Sequence, residues 1–194
     1  MRQRLIVLFI FSIIALTFAA CEKGPSPADV VRQYEQAVNS EDVPALEALL
    51  DSNCMFEFER RQRISGWEKI EPLVVWDTTV NTRMTITIDS TVGNTVFARN
   101  AQTNDWYTGF GVDTFVFITW FEVDSSRIAA VHTFGTPESR VRFLEQWKRL
   151  HGYMKLAHPE ELKQLMPEGG FSYTPENARL WMEVFKDWQE MHEE

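Results

Sequence analysis

The sequence predicts an α+β fold, in which helices lie over one face of a bent antiparallel sheet and a helical C-terminal extension follows. Three observations lead there. Apolar residues recur at helical spacing in the segment after Ser26; the period becomes two from Arg83 to Phe134; helical spacing returns after Thr136. A length of 194 residues accommodates one domain with an extension.

The elements can be read in order. Ser26-Pro27-Ala28-Asp29 is a helix start, with a capping Ser, a Pro in the first turn and an acid after it. Val30, Val31, Tyr34, Ala37 and Val38 then mark one face. Asp42 caps a second helix with Val43, Leu46, Leu49 and Leu50 inward. Cys54, Phe56 and Phe58 alternate with Glu57 and Glu59, as on a half-buried strand. Arg60, Arg61 and Arg63 read as a solvated loop. Ser65-Gly66 opens a helix carrying Trp67, Ile70, Leu73, Val74 and Trp76, which Pro72 ends or kinks.

Met84, Ile86 and Ile88 begin the sheet, and Val92-Gly93-Asn94-Thr95 is a hairpin turn into a strand over 96–103. A long strand follows from Trp106 to Val123, with a bulge at Gly109 and Gly111, and the chain turns at Asp124-Ser125-Ser126-Arg127 into Ile128 to Phe134. Alternation puts Asp113, Phe115, Phe117, Thr119 and Phe121 on one face. Thr136-Pro137-Glu138 and Thr174-Pro175-Glu176 start the later helices. Their apolar stripes include Trp147, Trp181 and Trp188, and Gly169-Gly170 separates them.

Composition excludes several functions. With 28 acids against 19 bases the net charge is −9, and no basic run is present, so a polyphosphate partner such as nucleic acid is not expected. Two cysteines cannot build a disulfide framework. The four His show no metal-ligand spacing, and neither a phosphate-binding glycine loop nor a GxSxG elbow occurs. No metal and no cofactor is therefore expected. Cys54, on a face with Phe56 and Phe58, reads as a buried and inert thiol.

The N-terminus is a separate unit. Arg2 and Arg4 precede an apolar run from Leu5 to Ala20. That run spans only ~24 Å as a helix, short of a bilayer core, and reads as a secretory signal. Ala19-Ala20 directly before Cys21 resembles the bacterial lipobox, with Phe18 where Leu is usual. The resemblance implies lipidation at Cys21 and anchoring in a bacterial cell envelope. Glu22, rather than Asp, implies the outer membrane facing the periplasm in a Gram-negative host. Removal of 1–20 takes two arginines away and the net charge to −11. Residues 21–27, with Gly24, Pro25 and Pro27, form a tether.

Beyond the tether, Val30-Val31-Arg32-Gln33-Tyr34, Ala37 to Asp42, Ala48-Leu49-Leu50 before Phe56-Glu57-Phe58, Ser65-Gly66 before Ile70, and Phe121 to Asp124 before Arg127-Ile128 occur in a telling order. In that order the chain resembles the nuclear transport factor 2-like superfamily, which includes SnoaL-like polyketide cyclases and ketosteroid isomerases. The resemblance covers 28–134 and leaves 135–194 as an extension. It implies a cone whose bent sheet wraps helices around an apolar pocket, lined here by Tyr34, Phe56, Phe58, Phe115, Phe117 and Thr119.

The isomerases use an oxyanion Tyr, a carboxylate base and a protonated acid. These roles fall on Tyr34, Phe58 and Thr119, so two of the three are missing and isomerase chemistry is not expected. Three readings stay open. One is a non-catalytic module binding an apolar small molecule or peptide. Another is an enzyme using Asp113, and His132 with it, as acid and base. The third is a structural envelope protein whose pocket is filled by its own side chains. The resemblance also implies a homodimer through the open sheet face, unless the C-terminal helices cover that face or plug the mouth.

Overall fold

The computed structural model describes residues 24–109, 111–167 and 170–191; the signal segment and Cys21 lie outside them. Helix α1 (Pro27–Asn39) starts in a reciprocal cap: Asp29 N–H donates to Ser26 Oγ at 3.2 Å, and Ser26 N–H donates to Asp29 Oδ2 at 3.0 Å. Helix α2 (Val43–Leu49) is capped by Asp42, whose Oδ1 accepts Ala45 N–H at 3.0 Å. Strands β1 (Leu50–Phe58) and β2 (Gln62–Ser65), helix α3 (Trp67–Thr79), and strands β3 (Arg83–Val92) and β4 (Thr95–Thr103) follow. Then come α4 (Asp105–Gly109), β5 (Phe115–Asp124), β6 (Arg127–Gly135), α5 (Pro137–Ala157), α6 (Pro159–Leu165) and α7 (Pro175–Glu190).

The six strands form one sheet in the order β2-β1-β6-β5-β4-β3. Register shifts in the β1–β6, β3–β4 and β5–β6 pairs bend it. Helix α1 lies against its concave side and also closes the edge strand β3. Asn39 accepts Met84 N–H and donates to Met84 C=O, both at 2.8 Å, and Glu35 Oε1 accepts Ile86 N–H at 2.8 Å. Backbone groups that would otherwise template another strand are thereby satisfied.

Three expectations are corrected. First, the sheet is mixed, because β1 runs parallel to β6. These strands meet across most of the domain, with no turn between them to dictate direction. Second, Arg63 lies in a strand: Glu59 and Arg60 take positive φ (52° and 56°), and the turn returns Gln62–Ser65 alongside β1. Third, the long strand from Trp106 is broken. Asn104 Oδ1 accepts Tyr107 N–H at 2.7 Å and starts the helical turn α4. Pro72 is carried inside α3 rather than ending it.

Two apolar cores result. One lies between the concave face and α1–α2, and includes Val30, Val31, Ile70, Ile86 and Phe121. The other joins Trp76, Val80, Trp106 and Phe115 to Leu150, Met154, Trp181 and Phe185 of the C-terminal helices. Gly109 is required by that second contact, since a Cβ there would stand 2.1 Å from the Phe185 ring.

Candidate functional site

Between the two cores lies a cavity of about 620 Å³. From the sheet, alternate residues of β1, β4, β5 and β6 face it, among them Phe56, Asn100, Phe117, Thr119 and Thr133. Tyr34 reaches it from α1, and Leu73, Val74 and Asp77 from α3. The C-terminal segment completes the wall with Arg140, Phe143 and Leu144 of α5 and with Phe171 and Tyr173. The extension therefore helps to build the cavity.

Tyr34, Phe56, Phe58, Phe115, Phe117 and Thr119 all line this space. Phe115 and Phe117 stand 4.5 Å apart between ring centroids, and Tyr34 packs edge-on to Phe121 at 5.7 Å. The Thr119 and Thr133 hydroxyls are 3.2 Å apart, each a possible donor to the other. Burial pushes the Tyr34 phenol well above its ordinary value. Cys54 is buried, and burial pushes its thiol up to about 12, which leaves it un-ionised at neutral pH.

The two proposed acid–base partners do not meet in the cavity. Asp113 is exposed in the loop before β5, because the chain folds back through Gly111 and Val112, whose N–H groups donate to Thr108 and Tyr107 C=O. His132 is buried on the opposite face of β6 from Val131 and Thr133, which line the cavity. There its ring stacks on Trp120 at 4.7 Å. Glu57 Oε2 lies 2.7 Å from His132 Nδ1, and Arg63 Nε donates to Glu57 Oε1 at 2.7 Å. The bond from His132, then that from Arg63, holds the Glu57 carboxyl below its ordinary value. An ionised Glu57 can only accept, so the Nδ1 position carries the proton. Phe97 and Ile118 are exposed on this same outer face.

The sequence reading missed Asp77. Asp77 is half-buried and lines the cavity, and burial pushes its carboxyl from 3.8 up to about 6. Its side-chain partner is Thr82, and the direction of that bond is fixed by neighbours. Asn104 spends its Oδ1 on Tyr107 N–H, so its Nδ2 donates to Thr82 Oγ1 at 3.3 Å; the Thr82 hydroxyl then donates to Asp77 Oδ1 at 3.1 Å. No basic side chain among the described residues forms an ion pair with Asp77. Nearby, burial and then the Asp77 charge push the Tyr173 phenol up to about 12 and move Tyr107 up as well. Asn100 Oδ1 is buried without a hydrogen-bond partner. A signal for Asp77 was present: Ile70, Leu73, Val74 and Asp77 follow the i, i+3, i+4, i+7 pattern, which places a carboxylate on the apolar face of α3.

No protein-family model matches the sequence, and no curated protein is similar to it in sequence. Solved structures are similar in fold. A candidate polyketide cyclase from Pseudomonas putida superposes with a TM-score of 0.51 at 18% identity, covering 61% of this chain and 98% of that one. Another from a Silicibacter species gives 0.50 at 13% identity, covering 60% and 93%. An NTF2-like protein of unknown function from Cytophaga hutchinsonii gives 0.49 at 16%, covering 62% and 98%. The chain is an α+β protein that shares the fold of these two cyclase structures.

Proposed function

We propose that this chain is a lipid-anchored cell-envelope protein whose cone binds a mainly apolar small molecule without turning it over. One observation carries the binding reading: a cavity of about 620 Å³ lies against the sheet, with twelve aromatic side chains of the described residues in its wall, among them Tyr34, Phe56, Phe115 and Phe117. The volume falls in the ~300–1,000 Å³ range of small-molecule sites. Phe58 and Thr119, at the positions of the isomerase base and acid, support binding without isomerase chemistry. Asp77 favours a second reading, an enzyme that moves a proton from the helix side of the cavity. The envelope location rests on the segment before Cys21, and pairing through the outer face would draw on the exposed Phe97 and Ile118.

Native mass spectrometry of the purified protein tests the binding reading. A small molecule retained by the wild type and lost from Thr119→Trp, with both folded, supports it. An empty wild type that no apolar compound stabilises refutes it. Cys21→Ser should release the protein from the membrane fraction or leave an unprocessed precursor; unchanged processing with continued lipid labelling refutes the anchor.

A further inference from the structure

Resting on the cavity being a binding site, we propose that its occupant is an amphiphilic amine, whose cationic nitrogen sits between the Asp77 carboxylate and the surrounding rings. Among the described residues, four acidic or basic side chains line the cavity: Glu59, Arg61, Asp77 and Arg140. Three belong to the β1–β2 turn and α5. There Arg140 Nη1 donates to Glu59 Oε2 at 3.3 Å, Glu59 Oε1 also accepts Gly135 N–H at 2.6 Å, and Arg61 is exposed. Asp77 stands apart from them on α3, with a hydroxyl as its side-chain partner.

A carboxylate enclosed by protein is costly unless a cation or several donors compensate it. The donor chain from Asn104 through Thr82 occupies Oδ1, and Asp77 lines the cavity. A ligand cation there would compensate the ionised carboxylate at the pH where it would otherwise stand uncompensated. The surroundings suit an ammonium group. Trp76 and Tyr173 pack edge to face at 5.5 Å, Trp106 and Tyr107 at 5.4 Å, and all four line the cavity with Asp77. Aromatic faces attract ammonium groups, most strongly where water is excluded. Beyond them, Phe56, Phe115 and Phe117 offer an apolar wall for the rest of the molecule. Among the groups that face Asp77, Thr82, just before β3, does not titrate. Tyr34 of α1, Tyr107 of α4 and Tyr173 are phenols raised by burial, so they stay neutral below pH 8.

The test uses one skeleton with three head groups: 6-phenylhexylamine, 6-phenylhexanol and 6-phenylhexanoate, measured calorimetrically against the purified protein and Asp77→Asn. At pH 8 the amine should bind at least about tenfold more tightly than the alcohol, with the carboxylate weakest. Asp77→Asn, which keeps an acceptor for Thr82, should remove most of the amine's advantage over the alcohol, leaving what the rings contribute. At pH 5, where the amine is still charged and Asp77 is largely protonated, the wild-type preference should shrink toward that of the variant. Alcohol binding as tight as amine binding, or an amine preference as large in Asp77→Asn as in the wild type, overturns the cationic assignment and leaves the binding site standing. Failure of all three probes, with both proteins folded, overturns the binding reading together with it.

Discussion

Replacing Asp77 by Asn should make the ligand-free protein more stable at alkaline pH. The carboxyl is held near 6 instead of 3.8 because burial penalises its charged form and no cation offsets that. Between those values the folded chain binds more protons than the unfolded one, so stability falls as pH rises through that window. Above about 6 the penalty is complete; below about 3.8 it is absent. The interval corresponds to at most about 3 kcal/mol. Asn is isosteric, and its Oδ1 still accepts the Thr82 hydroxyl. Urea unfolding of wild type and variant at pH 4, 6 and 8 measures the effect. The variant should gain up to about 3 kcal/mol at pH 8, less at pH 6 and almost nothing at pH 4. An equal or less stable variant at pH 8, or a difference independent of pH, would mean that Asp77 is solvated or paired.

Phe58→Asp should cost about 2–4 kcal/mol at pH 7, the scale of a disrupted core site, and less at pH 4, where a buried acid is neutral; a wild-type unfolding midpoint would place Phe58 in water. Gly109→Ala should cost about 1–3 kcal/mol, because its Cβ would collide with the Phe185 ring, and an unchanged melting temperature would refute that close approach. Glu57→Gln should destabilise at pH 7 and lose that effect in acid. The lowered Glu57 carboxyl contributes stability above its ordinary value of 4.5, and loses it as pH falls through the folded value. A destabilisation of the same size at both ends of the pH range would refute this.

Helix starts were the most legible feature of the sequence. Ser26, Asp42, Thr136 and Thr174 were read as caps, and each side chain accepts an N–H from its first turn. Alternation in β5 was equally clear, because Phe115, Phe117, Thr119 and Phe121 share one face and the cavity needs that face apolar. Strand β2 was hidden because it is short and three of its four residues are polar and exposed, so Ile64 alone carries no period-two signal. The parallel pairing of β1 with β6 has no local signature at all. Asp113 was misplaced because Asn104 opens a helical turn that the β-rich residues after it conceal. His132 sits between Val131 and Thr133 in a strand buried on both faces, where alternation cannot tell inside from outside. Tyr107 and Tyr173, close enough to feel the Asp77 charge, are brought near it only by tertiary packing.

The central claim is that the cone encloses a site that seats a small molecule against Asp77. A crystal structure of the purified protein with 6-phenylhexylamine tests it most directly. The account predicts ligand density within the cavity, the phenyl group against Phe115 and Phe117, and the nitrogen within hydrogen-bond distance of the Asp77 carboxyl. A cavity closed by its own side chains, or a ligand held only on the outer face beside Trp120, would contradict it.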